Sequence, residues 1–167
     1  MSAGSSINGC RIRDADVVAD RAELERVAAA LTDYERAFEP DRGIGRESAA
    51  AQVDDMIRVA RDKNGRIFVA ETPDGTIIGW AVCQITENSV FVRAEERTYG
   101  YVNELYVDER ARGTGAGHAL MQACEAHFIA NGVKISMLAA LWDNAHAREF
   151  YARSGYQPYA VDLRKYL

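Results

Sequence analysis

YVNELYVDERARGTGAGHAL, residues 101–120, reads as a strand, a charged turn and a glycine-rich loop that opens straight into a helix. Tyr101 to Val107 is rich in aromatic and β-branched side chains, which suit a half-buried pleated strand. Asp108 to Arg112 offers one alanine and no other apolar residue, so it belongs at the surface. Gly113, Thr114, Gly115, Ala116 and Gly117 then surround a helix start with small side chains. Backbone N–H groups there can face a ligand unobstructed, and the helix dipole behind them favours an anion such as a phosphate.

Two common phosphate loops fail on the residues. No Lys-Ser/Thr pair follows the glycines, as a P-loop requires. Counting from Gly113 and Gly115, the sixth position of a dinucleotide fingerprint is His118, not glycine. The pattern that fits is R-x-x-G-x-G, from Arg112 to Gly117, which resembles the acetyl-coenzyme A pyrophosphate loop of the GNAT superfamily of N-acetyltransferases. A second motif supports the resemblance. Asn144 to Tyr156, NAHAREFYARSGY, is similar to the family's N-x-x-A-x-x-F-Y-x-x-x-G-[FY], and it starts 27 residues after Gly117. The helix and strand that such a fold needs lie between the two.

Working outward, Cys10 to Arg13 reads as a short strand. Leu24, Val27, Leu31, Tyr34 and Phe38 give one apolar face to a helix over 17–38, and a second helix over 47–61 carries Ala49, Val53, Met56, Ile57 and Ala60. Arg66 to Glu71 and Thr76 to Thr86 form a hairpin about Pro73-Asp74-Gly75. Residues 87–98 take no assignment beyond a loop or strand extension. After the strand 99–107, a helix to about Ala130 buries Leu120, Ala123, Cys124, His127 and Phe128. A sparsely charged strand, Val133 to Leu141, reads as central in the sheet, and Tyr156 to Tyr166 reads as one or two final strands. The order gives an α/β (mixed α+β) domain over 10–167 behind a disordered tail, 1–9. The resemblance implies a GNAT fold: one twisted mixed sheet of six to seven strands, helices on both faces, and central parallel strands splayed around the cofactor.

Composition limits the partners. At 167 residues, 48% apolar and 27% charged, the chain is one ordinary globular domain, and a net charge of −5 argues against a nucleic-acid surface. Cys10, Cys83 and Cys124 lack metal spacing and read as buried reduced thiols, so no metal is expected. No apolar run approaches the ~20 residues of a membrane span, and no signal peptide is evident, which makes the cytoplasm the default.

The resemblance implies direct acetyl transfer from acetyl-CoA to a primary amine, most readily that of a small molecule. It implies that the backbone from Arg112 to Gly117, with the Arg112 charge, holds the pyrophosphate. Leu105, Tyr106 and Val107 would grip the pantetheine arm through their main chain, with the Asn144 side chain opposite. Asn144 is also a natural helix cap. An alkylammonium with a pKa near ~10.4 is almost wholly protonated at pH 7, so a base is useful. Glu104, a lone carboxylate in an apolar strand, is the candidate, with Asn103 beside it on the opposite face if the strand has no bulge. Tyr151 matches the position of the family's general acid, and an N–H near Tyr106 or Val107 would meet the oxyanion. Glu35, Glu39, Asp41, Glu95 and Glu96 would suit a cationic acceptor. His127 reads as a satisfied core residue, His146 as a weak candidate on the acceptor side. The acceptor stays open between a polyamine, an aminoglycoside-type antibiotic, an amino acid and a protein amine. A catalytically silent acyl-CoA-binding module of the same fold is the alternative, and a homodimer is common in the family.

Overall fold

The computed structural model describes residues 6, 7 and 9–167. Six strands, β1 (Ser6–Ile7), β2 (Cys10–Asp14), β3 (Arg66–Glu71), β4 (Ile77–Glu87), β5 (Thr98–Val107) and β6 (Ser136–Leu138), form one sheet in chain order. Neighbours from β1 to β5 run antiparallel, and β6 runs parallel to β5, so the sheet is mixed as expected. Helices α1 (Arg21–Glu35) and α2 (Gly45–Asp62) cover one face, where Leu24, Val27, Val53, Val69, Trp80 and Val82 pack. Helix α3 (Ala116–Ala130) covers the other with Leu120, Met121, Cys124 and Phe128, and α4 (Ala145–Arg153) adds Phe150 and Tyr151 there. All three cysteines are buried, and no disulfide joins them among the described residues. Among the described residues, no helix is long and apolar enough to cross a membrane.

Several boundaries differ from expectation. Ser6–Ile7, within the expected disordered tail, pairs with Cys10 and Arg11, while residues 1–5 and 8 lie outside the described residues. Helix α1 starts at Arg21, because the Asp16 carboxylate bonds the N–H groups of Val18 and Ala19 and closes a turn there. The strand expected over 133–141 shrinks to β6 and ends the sheet instead of lying at its centre. The final strands do not form, and residues 157–167 are exposed and irregular. His127 is half-buried on the flank of α3, where its Nε2 meets the Asn64 carbonyl at 2.7 Å.

One irregularity governs the site. Cys83 pairs with Val102 and Val82 with Glu104, so Asn103 is an extra residue in β5, a β-bulge. Strict alternation would put Glu104 on the same face as Val102, toward α3. The bulge reverses the phase: Val102 packs with the α3 cluster, whereas Glu104 reaches Gln52 of α2 on the opposite face. The Asn103 side-chain oxygen is buried without a hydrogen-bond partner.

Candidate active site

Beyond Val102 and Leu138, β5 and the chain leaving β6 stop pairing, and a cleft of about 410 Å³ opens between them. Leu105, Tyr106 and Val107 form one wall and Ala139, Ala140 and Leu141 the other. Gly113, Gly115 and Gly117 form one end, and Tyr34 and Glu35 from the end of α1 close the rim.

The glycine loop has the shape of an anion cradle. Gly113 and Gly115 take φ of 78° and 91°, a left-handed conformation that side chains with a Cβ rarely adopt. No side chain caps α3, and the amides of its first turn lack intrahelical carbonyls. Thr114 uses its hydroxyl to bond the Ala111 carbonyl at 2.7 Å, and the Ala116 side chain is in the core, so both serve the loop's shape.

Arg112 does not point freely at that cradle. Its guanidinium stacks 4.6 Å from the Tyr34 ring centroid and 5.9 Å from that of Tyr106, and its Nε donates to the Val107 carbonyl at 3.2 Å. That bond fixes the main-chain direction of β5. If the Val107 carbonyl turns away from β4, alternation turns the main-chain groups of Leu105 the same way and those of Tyr106 back toward β4. On that alternation Leu105 and Val107 offer their backbone groups to the cleft, which Tyr106 also lines.

Asn144 is buried, and its Oδ1 accepts from the Ala147 N–H at 3.1 Å and from the Tyr34 hydroxyl at 3.4 Å. Its oxygen is therefore the cap of α4 and a tie to α1, while the residue still lines the cleft. Tyr151 lines the cleft beside Phe150, at a ring distance of 5.3 Å. Burial first, then the charges of Glu35 and Glu104, raise its phenol well above the ordinary range, so its proton is kept.

Glu104 is half-buried and receives one hydrogen bond from Gln52 Nε2, at 3.3 Å. Burial pushes its carboxyl up to about 7; the Gln52 bond and Arg42 oppose this, and the charge of Glu35 adds to it. A carboxyl poised there exists in both forms near neutrality, as a proton acceptor needs. Of the five acidic residues expected near an acceptor, only Glu35 lines the cleft. It bridges Arg42 at 3.1 Å, yet burial still raises its carboxyl. Glu39 and Asp41 are engaged by Arg42 and Arg164, and Glu95 and Glu96 line a separate hollow with Lys134. His118 and His146 also line the cleft.

Sequence reasoning missed Tyr34 and Gln52 as site residues. Leu31, Tyr34 and Glu35 stand at i, i+3 and i+4, so the helical face that buries Leu31 also aims the other two at the cleft. Among the described residues, no group of three or more His, Cys, Asp or Glu could hold a metal ion.

The acetyltransferase (GNAT) family model matches residues 24–156. Solved structures share the fold at low identity. A GCN5-related N-acetyltransferase from Ralstonia eutropha JMP134 is 23% identical with a TM-score of 0.69, covering 95% of this chain and 97% of that one. Glucosamine-6-phosphate N-acetyltransferase from Arabidopsis thaliana is 18% identical with a TM-score of 0.67, covering 94% and 97%. An aminoglycoside acetyltransferase from an uncultured soil metagenomic sample is 19% identical with a TM-score of 0.66, covering 96% and 97%. Comparison with curated proteins finds no match.

Proposed function

The chain belongs to the GNAT family of acetyltransferases, and on that premise we propose that it transfers the acetyl group of acetyl-CoA to a primary amine of a small molecule. The observation that carries this reading is the cleft between the splayed strands, lined by Tyr151 and the glycine loop, with Glu104 behind its Leu105 wall and near enough for its charge to act on the Tyr151 phenol. The cradle suits the coenzyme: two left-handed glycines and an uncapped helix start lie at one end of the cleft, and Arg112, now stacked on Tyr34, stands beside them to add charge. The main-chain groups of Leu105 and Val107 would pair with the pantetheine arm. Acetyl-CoA, when bound, supplies the thioester carbonyl that the amine attacks.

The chain's own residues supply the rest. Glu104 takes a proton from the ammonium group at its carboxylate, directly or through water. Glu35 adds negative charge at the rim, which favours a cationic acceptor over a neutral one. Tyr151 keeps its O–H proton available for the departing sulfur, and the Val107 N–H is the donor for charge developing on the carbonyl oxygen.

Thiol release in the presence of acetyl-CoA, measured across a panel of diamines, aminoglycosides, amino sugars, amino acids and a lysine peptide, tests the reading. Turnover with a small amine is expected. Glu104→Gln and Tyr151→Phe should each lower turnover by ~10²-fold or more and leave coenzyme binding intact. Calorimetry showing no coenzyme A binding would refute it.

A further inference from the structure

A bridge of side chains joins the two walls of the cleft, running from β5 to α4. The Val107 carbonyl accepts from Arg112 Nε at 3.2 Å, and the Arg112 guanidinium lies 4.6 Å from the Tyr34 ring centroid. The Tyr34 hydroxyl then donates to Asn144 Oδ1 at 3.4 Å, where the far wall passes into α4. All four residues line the cleft, and Tyr34 is the member that comes from neither wall. Helix α1 brings it in. Leu31, three residues before it, is buried, and Phe38, four residues after it, meets the ring edge-on at 5.4 Å.

The bridge engages the polar groups that an amide-bearing arm would need. Asn144 Oδ1 has two lone pairs; the Ala147 N–H holds one as the helix cap, and the Tyr34 hydroxyl holds the other. On the opposite wall the Val107 carbonyl is engaged by Arg112. Both links are of a kind that exchanges readily. A separation of 3.4 Å is long for an O–H···O bond. The guanidinium is held by two ring faces and one carbonyl, with no carboxylate bridging it among the described residues.

We propose that Tyr34 is a latch on this cleft that sets how readily the coenzyme enters, an inference that rests on the cleft taking acetyl-CoA. Closed, Tyr34 holds Asn144 with its hydroxyl and Arg112 with its ring. As the pantetheine arm enters, one of its amide N–H groups replaces the phenol on Asn144, and its other amide pairs with the strand at Val107. Arg112 is then free to meet the pyrophosphate. The phenol thus stands in the free chain where a coenzyme donor stands in the complex. A binding-competent state that is only partly populated lowers apparent affinity by that fraction. The latch therefore acts on entry and leaves exit untouched, because the phenol makes no bond to the bound coenzyme.

Surface plasmon resonance of coenzyme A on the full chain tests this. Tyr34→Phe keeps the ring under Arg112 and removes the hydroxyl. Its association rate constant should rise about two- to fivefold, the worth of one ordinary hydrogen bond, with the dissociation rate constant unchanged. Tyr34→Leu also removes the platform under Arg112 and should raise association at least as much. Association unchanged or slowed in Tyr34→Phe, with wild type binding coenzyme A, would overturn the latch and leave the proposed acetyl transfer standing. Faster dissociation alone would also overturn it, since the hydroxyl would then be a contact to the bound coenzyme. A wild type that binds no coenzyme A overturns the latch and the acetyl transfer together.

Discussion

Gln52 Nε2 donates to Glu104 Oε1 at 3.3 Å, while the carbonyl end of the same amide accepts from Thr32 Oγ1 at 3.1 Å. The buried Thr32 hydroxyl thus fixes the orientation of the amide and keeps its N–H on the carboxylate. A donor to the ionised form favours it, so Gln52 holds Glu104 below the value that burial alone would set. Glu35 from α1, Arg42 from the following loop, and the phenols of Tyr101 and Tyr151 are the other titratable groups acting there. Gln52→Leu should move the rising limb of the kcat–pH profile upward by roughly half a unit to one unit, the worth of one ordinary hydrogen bond. Thr32→Val should act in the same direction by releasing the amide, and Thr32→Ser should restore it. An unmoved limb in Gln52→Leu would remove this pair from the chemistry.

The same carboxyl makes stability depend on pH. Its folded value, about 7, lies above the ordinary 4.5, so the folded chain holds this proton more tightly than the unfolded chain. The contribution is complete below 4.5 and is lost as pH rises through 7. Between pH 5 and 8.5 this one group should cost the wild type about 2–3 kcal/mol of unfolding free energy. Glu104→Gln cannot ionise and should lose correspondingly less. Urea denaturation of both proteins at the two pH values gives the comparison; equal losses would show that Glu104 is not held protonated by the fold.

The motif-bearing half of this fold was legible because its chemistry is local. Gly113 to Gly117 announce a backbone conformation, Asn144 announces a cap, and the run from Val133 carries Lys134 as its one charge; each reads within a few residues. The phase of Glu104 was not legible. It depends on Asn103 being skipped in pairing with β4, and that register is set across twenty residues of chain. The Gln52 and Thr32 contacts were hidden for a similar reason, since they arise from how α1 and α2 cross. The tail failed differently. Its alternation describes a strand, but residues 157–167 run irregular and exposed, with Arg164 bridging Asp41 and Glu39 after α1 instead of the chain pairing with β6.

Two glycines should separate binding from folding. A Cβ on Gly117 would lie 3.5 Å from Phe150, an ordinary contact, and would project at the cleft. Gly117→Ala should keep the melting temperature, since alanine is also the better helix former, and should weaken coenzyme A binding by about tenfold. A Cβ on Gly100 would lie 2.4 Å from the Phe128 ring, far inside contact distance. Gly100→Ala should cost about 1–3 kcal/mol of stability by overpacking. Calorimetric titration and thermal melts on both variants would reveal the split; loss of stability in Gly117→Ala would mean that the loop is shaped by packing instead of by a ligand.

Arg112 provides the sharpest probe of the cradle. Its stacking on Tyr34 and its bond to the Val107 carbonyl use the planar guanidinium twice, and lysine reproduces neither contact. The same carbonyl is the group the pantetheine arm would need, so coenzyme binding should release Arg112 from Val107 and turn it toward the pyrophosphate. Arg112→Ala then loses a charge-assisted contact of about 1.5–3 kcal/mol, tenfold or more in affinity, and flattens the salt dependence of binding. Arg112→Lys should keep part of the salt dependence, because the charge remains, but should still bind more weakly than wild type because the fork and the stack are gone. If Arg112→Lys instead binds as tightly as wild type, the residue acts only as a diffuse positive charge, and its place over Tyr34 belongs to the folded scaffold.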